Sequence, residues 1–197
     1  MKIAPILNFH LRHHMPGLVA ALSIALCITL TLWGYADDLN RAIKSKPLPP
    51  PTDHVLNGVA AYHNRPGVPN AARLVAFQLT THPVKRIAFA ILLMLQSPSK
   101  SLIVYVQKIP IGSATGLDSG GRDYFGVSLQ NLTTGEILLL CDHVYTGYSI
   151  KFNPNHTLKR RDTLLADLHR RGILPDNTYL AEYNCALSLA ADHRPVY

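Results

Sequence analysis

The sequence predicts an α+β domain behind an N-terminal transmembrane helix, and three observations carry that prediction. From residue 13 to residue 36 there is no Lys, Arg, Asp or Glu. After residue 100, four short segments are β-branched, aromatic or alternately apolar and polar, the pattern of strands. On either side of them, apolar residues recur at helical spacing between capping residues, glycines and prolines.

The chain has 197 residues, 48% hydrophobic and 16% charged. That charge content falls below the roughly 25% of soluble domains and excludes disordered, collagenous and coiled-coil chains. Its three cysteines are too few for a disulfide-stapled miniprotein.

The low charge has a local origin. Residues 18–35 read LVAALSIALCITLTLWGY, about 27 Å as a helix at 1.5 Å per residue and close to the roughly 30 Å hydrocarbon core. The predicted anchor is 15–36, after a short cytoplasmic N-terminus, 1–14. Trp33 and Tyr35 lie at its far end, where amphipathic rings favour the headgroup zone. Lys2 and Arg12 precede the segment and Asp37 and Asp38 follow it. Arg41, Lys44 and Lys46 on the far side oppose the basic-residue rule, but a first segment behind a short basic leader orients the N-terminus to the cytoplasm and exports the remainder. A competing reading is a signal peptide cut after Gly34-Tyr35-Ala36, before Asp37. Its apolar core is longer than such peptides use, which favours an uncleaved signal-anchor in a bitopic inner-membrane protein.

Residues 37–53 include Lys46-Pro47-Leu48-Pro49-Pro50-Pro51, which predicts a semi-rigid, extended stalk. The exported domain is then 54–197. Residues 54–70 read as polar and turn-rich. Helices are predicted at 71–80, capped by Asn70, and at 84–96, the latter apolar all round and read as a buried core helix. A membrane-resting segment flanked by Lys85 and Arg86 is the alternative for 84–96. Strands are predicted at 102–106, 124–130, 136–141 and 148–152, forming an antiparallel sheet of about four strands with a hairpin over 131–135. Two C-terminal helices follow: one over 157–171, stopped by Gly172, and one opened by Asp176, Asn177 or Thr178.

Candidate chemistry is sparse. Cys141 and Cys185 would face an oxidising periplasm, where a disulfide between them is permitted. On a strand, Cys141 and His143 would share a face as nucleophile and base, the basis of an alternative reading as a thiol-dependent hydrolase. The histidines are scattered, with none of the spacings of zinc sites, so no metal is predicted. Residues 107–123 are glycine-rich but lack phosphate-loop and EF-hand spacing, so no cofactor is predicted and the segment reads as a surface loop. Lys151, Lys159, Arg160, Arg161, Arg170 and Arg171 form a predicted binding patch. Beyond residue 36 the chain carries 17 Lys and Arg against 12 Asp and Glu, a balance that suits anionic headgroups or an acidic protein. Nucleic acid is not an expected partner of an exported domain without recognition motifs.

In layout, an anchor, a proline stalk and a small exported domain, the chain resembles bitopic subunits of secretion or conjugation machines. The expected function is therefore that of an interaction or scaffold component of an envelope assembly, with lipid contacted through 15–36 and other envelope proteins as partners. The thiol hydrolase is one alternative. The other is a secreted binding protein released before Asp37.

Overall fold

A computed structural model describes residues 4–44, 50–95, 97–150, 153–187 and 189–190. The chain divides into two units, Met1–Ala42 and Ile43–Tyr197. The first is a single helix, α1 (Ala4–Lys44), which runs on past the unit boundary. From Leu22 onward it is long and apolar enough to cross a membrane. Leu22, Ile24, Leu26 and Leu30 are exposed along it, and Thr29 and Thr31 turn their hydroxyls back onto the Ala25 and Cys27 carbonyls. The helix persists through 37–44, the start of the expected stalk, whereas 45–49 lie outside the described residues.

The second unit is helical, which overturns the expected α+β class and its four-stranded sheet. Its elements are α2 (Asp53–His63), α3 (Ala71–Leu79), α4 (Pro83–Leu95), α5 (Pro98–Lys108), α6 (Leu117–Phe125), α7 (Thr134–Thr146), α8 (Pro154–Arg170) and α9 (Asp176–Asn184), with a 3-10 turn at Leu129–Asn131. The strands among the described residues are two residues each: β1 (Pro110–Ile111) pairs antiparallel with β2 (Ala114–Thr115), Pro110 opposite Thr115.

Each expected strand fails for a local reason. Residues 102–106 lie inside α5, started by Ser97 and by Pro98 at its first position, where the missing N–H is no loss. Residues 124–130 straddle the end of α6, where Gly126 turns left-handed at φ 73°, and the 3-10 turn. The supposed hairpin over 131–135 is instead the N-terminus of α7. There the Thr133 side chain accepts the Glu136 N–H at 3.2 Å and the Glu136 carboxylate accepts the Thr133 N–H at 2.9 Å, so two orphan donors are satisfied reciprocally. Residues 147–150 form a connection after α7, and Phe152 lies outside the described residues.

The apolar run of 136–141 follows from where α7 sits. It packs against α2, α6, α8 and α9, so Ile137, Leu138, Leu139, Leu140 and Cys141 are all fully buried. A helix surrounded on every side has no polar face to display, which makes its sequence resemble a buried strand. Burying each such leucine contributes roughly 1.5–3 kcal/mol. Helix α2, read from sequence as turns, crosses α7 at Gly58, where a Cβ would lie 3.0 Å from Ile137.

Candidate functional site

The strongest polar construction joins α2, α7 and α8. Asp142 is wholly buried in α7. Its carboxylate accepts the Tyr62 hydroxyl at 3.0 Å and two guanidinium N–H groups of Arg160, from Nε at 2.8 Å and Nη2 at 2.9 Å. A buried carboxylate is tolerable only when its lone pairs are filled in this way. Burial, and then the Asp142 charge, push the Tyr62 phenol far above its ordinary range. The hydrogen bond to Asp142 holds Arg160 more firmly protonated. One turn on, Arg65 donates to Asp167 at 2.9 Å, and Arg171 reaches the same carboxylate at 3.0 Å. Burial alone would raise Asp167, but those two arginines outweigh it and hold its pKa below the usual carboxylate range.

Beside Arg160, an open groove is lined by Tyr148, His156, Lys159, Arg160 and Thr163. The Tyr148 and His156 rings stack with centroids 6.4 Å apart, and the Tyr148 hydroxyl lies 3.4 Å from His156 Nδ1. Lys159 is exposed at its edge. The exposed Lys159 ammonium, beside the part-exposed Arg160 guanidinium, can receive a carboxylate or another small anion.

The expected basic patch is thus partly spent within the protein. Arg160 serves Asp142 and Arg171 serves Asp167. Arg161 is buried, bonded to Asp162 and donating to the Cys185 and Tyr183 carbonyls at 2.6 and 3.1 Å. Lys159 and Arg170 remain exposed. Lys151 lies outside the described residues.

The thiol constellation is taken apart by the helix. Residues two apart on a helix point about 200° apart, so Cys141 and His143 face different neighbours. Cys141 is fully enclosed, and burial pushes its thiol up to about 12. His143 instead joins the Tyr124 hydroxyl at 3.2 Å and the Tyr148 carbonyl. The expected disulfide is also overturned: Cys141 is a free, buried thiol in the core, whereas Cys185 is a free, exposed residue at the end of α9. Among the described residues, no group of three His, Cys, Asp or Glu is placed to hold a metal ion.

Sequence reasoning missed Asp142, Tyr62 and Glu182. The signal for Asp142 was its place directly after the apolar run ending at Cys141, where an acid needs a dedicated partner. The Glu182 carboxylate accepts the Thr134 and Gly135 N–H groups at 2.9 and 3.1 Å, placing an anion at the positive end of α7.

No protein-family model matches the chain, and no curated protein matches it. Among solved structures it is similar to penicillin-binding protein 1A from Haemophilus influenzae, at 18% identity and a TM-score of 0.35. The match covers 63% of this chain and spans 17% of that protein's length. A likeness at that level assigns neither a family nor an activity.

Proposed function

We propose that the chain is a single-pass, membrane-anchored protein whose helical domain stands outside the cytoplasm as an interaction or scaffold component of an envelope assembly of the secretion or conjugation type. The observation that carries this reading is α1, with a described part that is apolar, almost wholly unburied and long enough to span. Such a surface is unfavourable in water and suited to lipid, and a helix satisfies its own backbone there. The basic count is close on the two sides, Lys2 and Arg12 before the apolar segment against Arg41, Lys44 and Lys46 after it, so the cytoplasmic N-terminus rests on this being a first segment behind a short basic leader.

Binding is favoured over thiol hydrolysis because Cys141, the only cysteine within two residues of a histidine in sequence, is sealed in the core in its neutral form. Anchoring is favoured over release before Asp37 because α1 is unbroken across that position. A processing protease must draw the backbone it cuts out of a helix. The partner surface is the groove at Lys159 together with Arg170, with Arg160 at its wall already paired to Asp142, suited to an acidic segment of another envelope protein.

A topology reporter fused after Tyr197, combined with crosslinking from position 159 in intact cells, tests both parts. The expected result is an extracytoplasmic signal and a discrete crosslinked partner that Lys159→Glu removes. A cytoplasmic signal, or a protein that crosslinks to nothing and runs alone as a monomer, overturns it.

A further inference from the structure

Helix α4 has one face that the rest of the protein leaves uncovered. Val84, Ile87, Ile91, Met94 and Leu95 fall within about 100° of one another around a helix of 3.6 residues per turn, and all are exposed, Ile87 at 65% and Leu95 at 79%. The opposite side, with Phe89 and Leu93, is buried. Phe77 on the neighbouring α3 is also exposed, with the Arg86 guanidinium 4.5 Å above its ring. A contiguous apolar stripe of this size on a domain surface calls for a partner.

Charge identifies the occupant. From residue 54 to residue 117 there is no Asp or Glu, whereas Arg73, Lys85, Arg86, Lys100 and Lys108 fall in that stretch beside Arg65, which is paired with Asp167. These residues build α2 to α5 and the β hairpin, so the segment that bears the stripe has basic residues only. The first turn of α4 holds Lys85 and Arg86 and no acid. Cations there oppose the helix dipole, so local helix stability does not account for them. Thirteen residues in α4 are too few to cross a bilayer. An apolar stripe flanked by cations, on a helix too short to span, is suited to lying in the interface of an anionic membrane.

We infer that α4, with Phe77, rests in the headgroup region of an anionic bilayer as a second membrane contact, separate from α1. The inference rests on the anchored reading only in that α1 holds the domain near lipid and so raises the effective concentration of α4 at the surface.

The test uses the full chain in vesicles. Trp33→Phe removes the single tryptophan, and Ile91→Trp places a new one on the stripe; a matched protein carries Leu180→Trp on α9, where Leu180 is exposed. Vesicles contain phosphatidylcholine and phosphatidylglycerol, with or without brominated acyl chains. The expected result is blue-shifted emission from position 91, with bromine quenching well beyond that at position 180. Arg73→Gln with Lys100→Gln then lowers the docking equilibrium by about fivefold per cation, and pure phosphatidylcholine has the same direction of effect. Quenching at 91 no greater than at 180 overturns the inference. So does a blue shift without bromine quenching, which would mean that a partner protein or a second copy covers the stripe. Circular dichroism checks folding, and Met94→Trp replaces Ile91→Trp if that variant misfolds. Resistance of the protein to alkaline carbonate extraction reports insertion of α1 separately, so failure of the anchor and failure of the α4 contact give different results.

Discussion

Asp142 and Arg160 meet through two parallel hydrogen bonds, the carboxylate sealed in the core and the guanidinium 36% exposed. That asymmetry gives the two sides unequal consequences. Arg160→Met leaves a buried carboxylate with the Tyr62 hydroxyl as its main support and costs about 2–4 kcal/mol, toward the lower end for breaking a buried pair because Arg160 is partly wet. Asp142→Asn leaves a cation that can turn to water and costs less, about 1–2 kcal/mol. Urea unfolding of the two variants checks the order, and the reverse order contradicts the account.

Gly135→Ala tests how tightly α8 seats on α7. An added Cβ would lie 2.7 Å from Arg161 Cδ, and that side chain is fastened at its far end to the carbonyls of Tyr183 in α9 and of Cys185 just beyond it. It has no free rotamer to retreat into, so the substitution costs about 1–3 kcal/mol. The expected readout is a lower Tm together with faster proteolysis near residue 185.

Cysteine reactivity follows burial. In a folded Cys27→Ser protein, which removes the third free thiol, a maleimide modifies Cys185, whereas Cys141, neutral and enclosed, reacts only after denaturation. Intact mass with and without denaturant measures both. Because the two thiols are unbonded, Cys185→Ser leaves stability unchanged; a loss of two hydrogens in the native mass, or a marked fall in stability on that substitution, contradicts the free-thiol arrangement.

His63 makes the fold sensitive to mild acid. Burial lowers its pKa, only partly offset by the Pro69 carbonyl 2.7 Å from Nδ1. The unfolded chain takes up the imidazole proton first, near pH 6.5, so stability is fully present above that value and declines as pH falls through the window down to the folded pKa. The difference in unfolding free energy between the parent and His63→Phe, measured across that window, should shrink with acidification. A constant difference contradicts the assignment.

Helices α3, α4, α8 and α9 were legible in the sequence, but the fold class and helices α2, α5, α6 and α7 were not. Asn70 and Arg73 closed the cap of α3 as its composition implied, and α4 and α8 lie within a few residues of where periodicity placed them. The sheet was not legible as an error because LIVYV at 102–106 and EILLLC at 136–141 have strand composition while their burial is set by neighbours far along the chain. One local clue opposed the strand reading: Thr133 and Glu136 stand three apart just before the apolar run, the spacing of a helix-starting box. Helix α2 was hidden by Gly58, which reads as a breaker but serves the close crossing with Ile137. At the site, composition found the arginines but not their roles. Whether a cation meets solvent or a buried acid depends on contacts such as Arg160 with Asp142, which lie 18 residues apart.

Helix α9 has no buried residue of its own and is tied to the body at both ends of the polarity scale, by Glu182 on the α7 amides and by Arg161 on the Tyr183 and Cys185 carbonyls. Detaching it would bury or expose little of its own side chains and cost chiefly these polar bonds and the cover it gives α7 and α8. Helix α9 therefore stands to open before the core helices do, yielding early to heat, to a protease or to a competitor for its moorings.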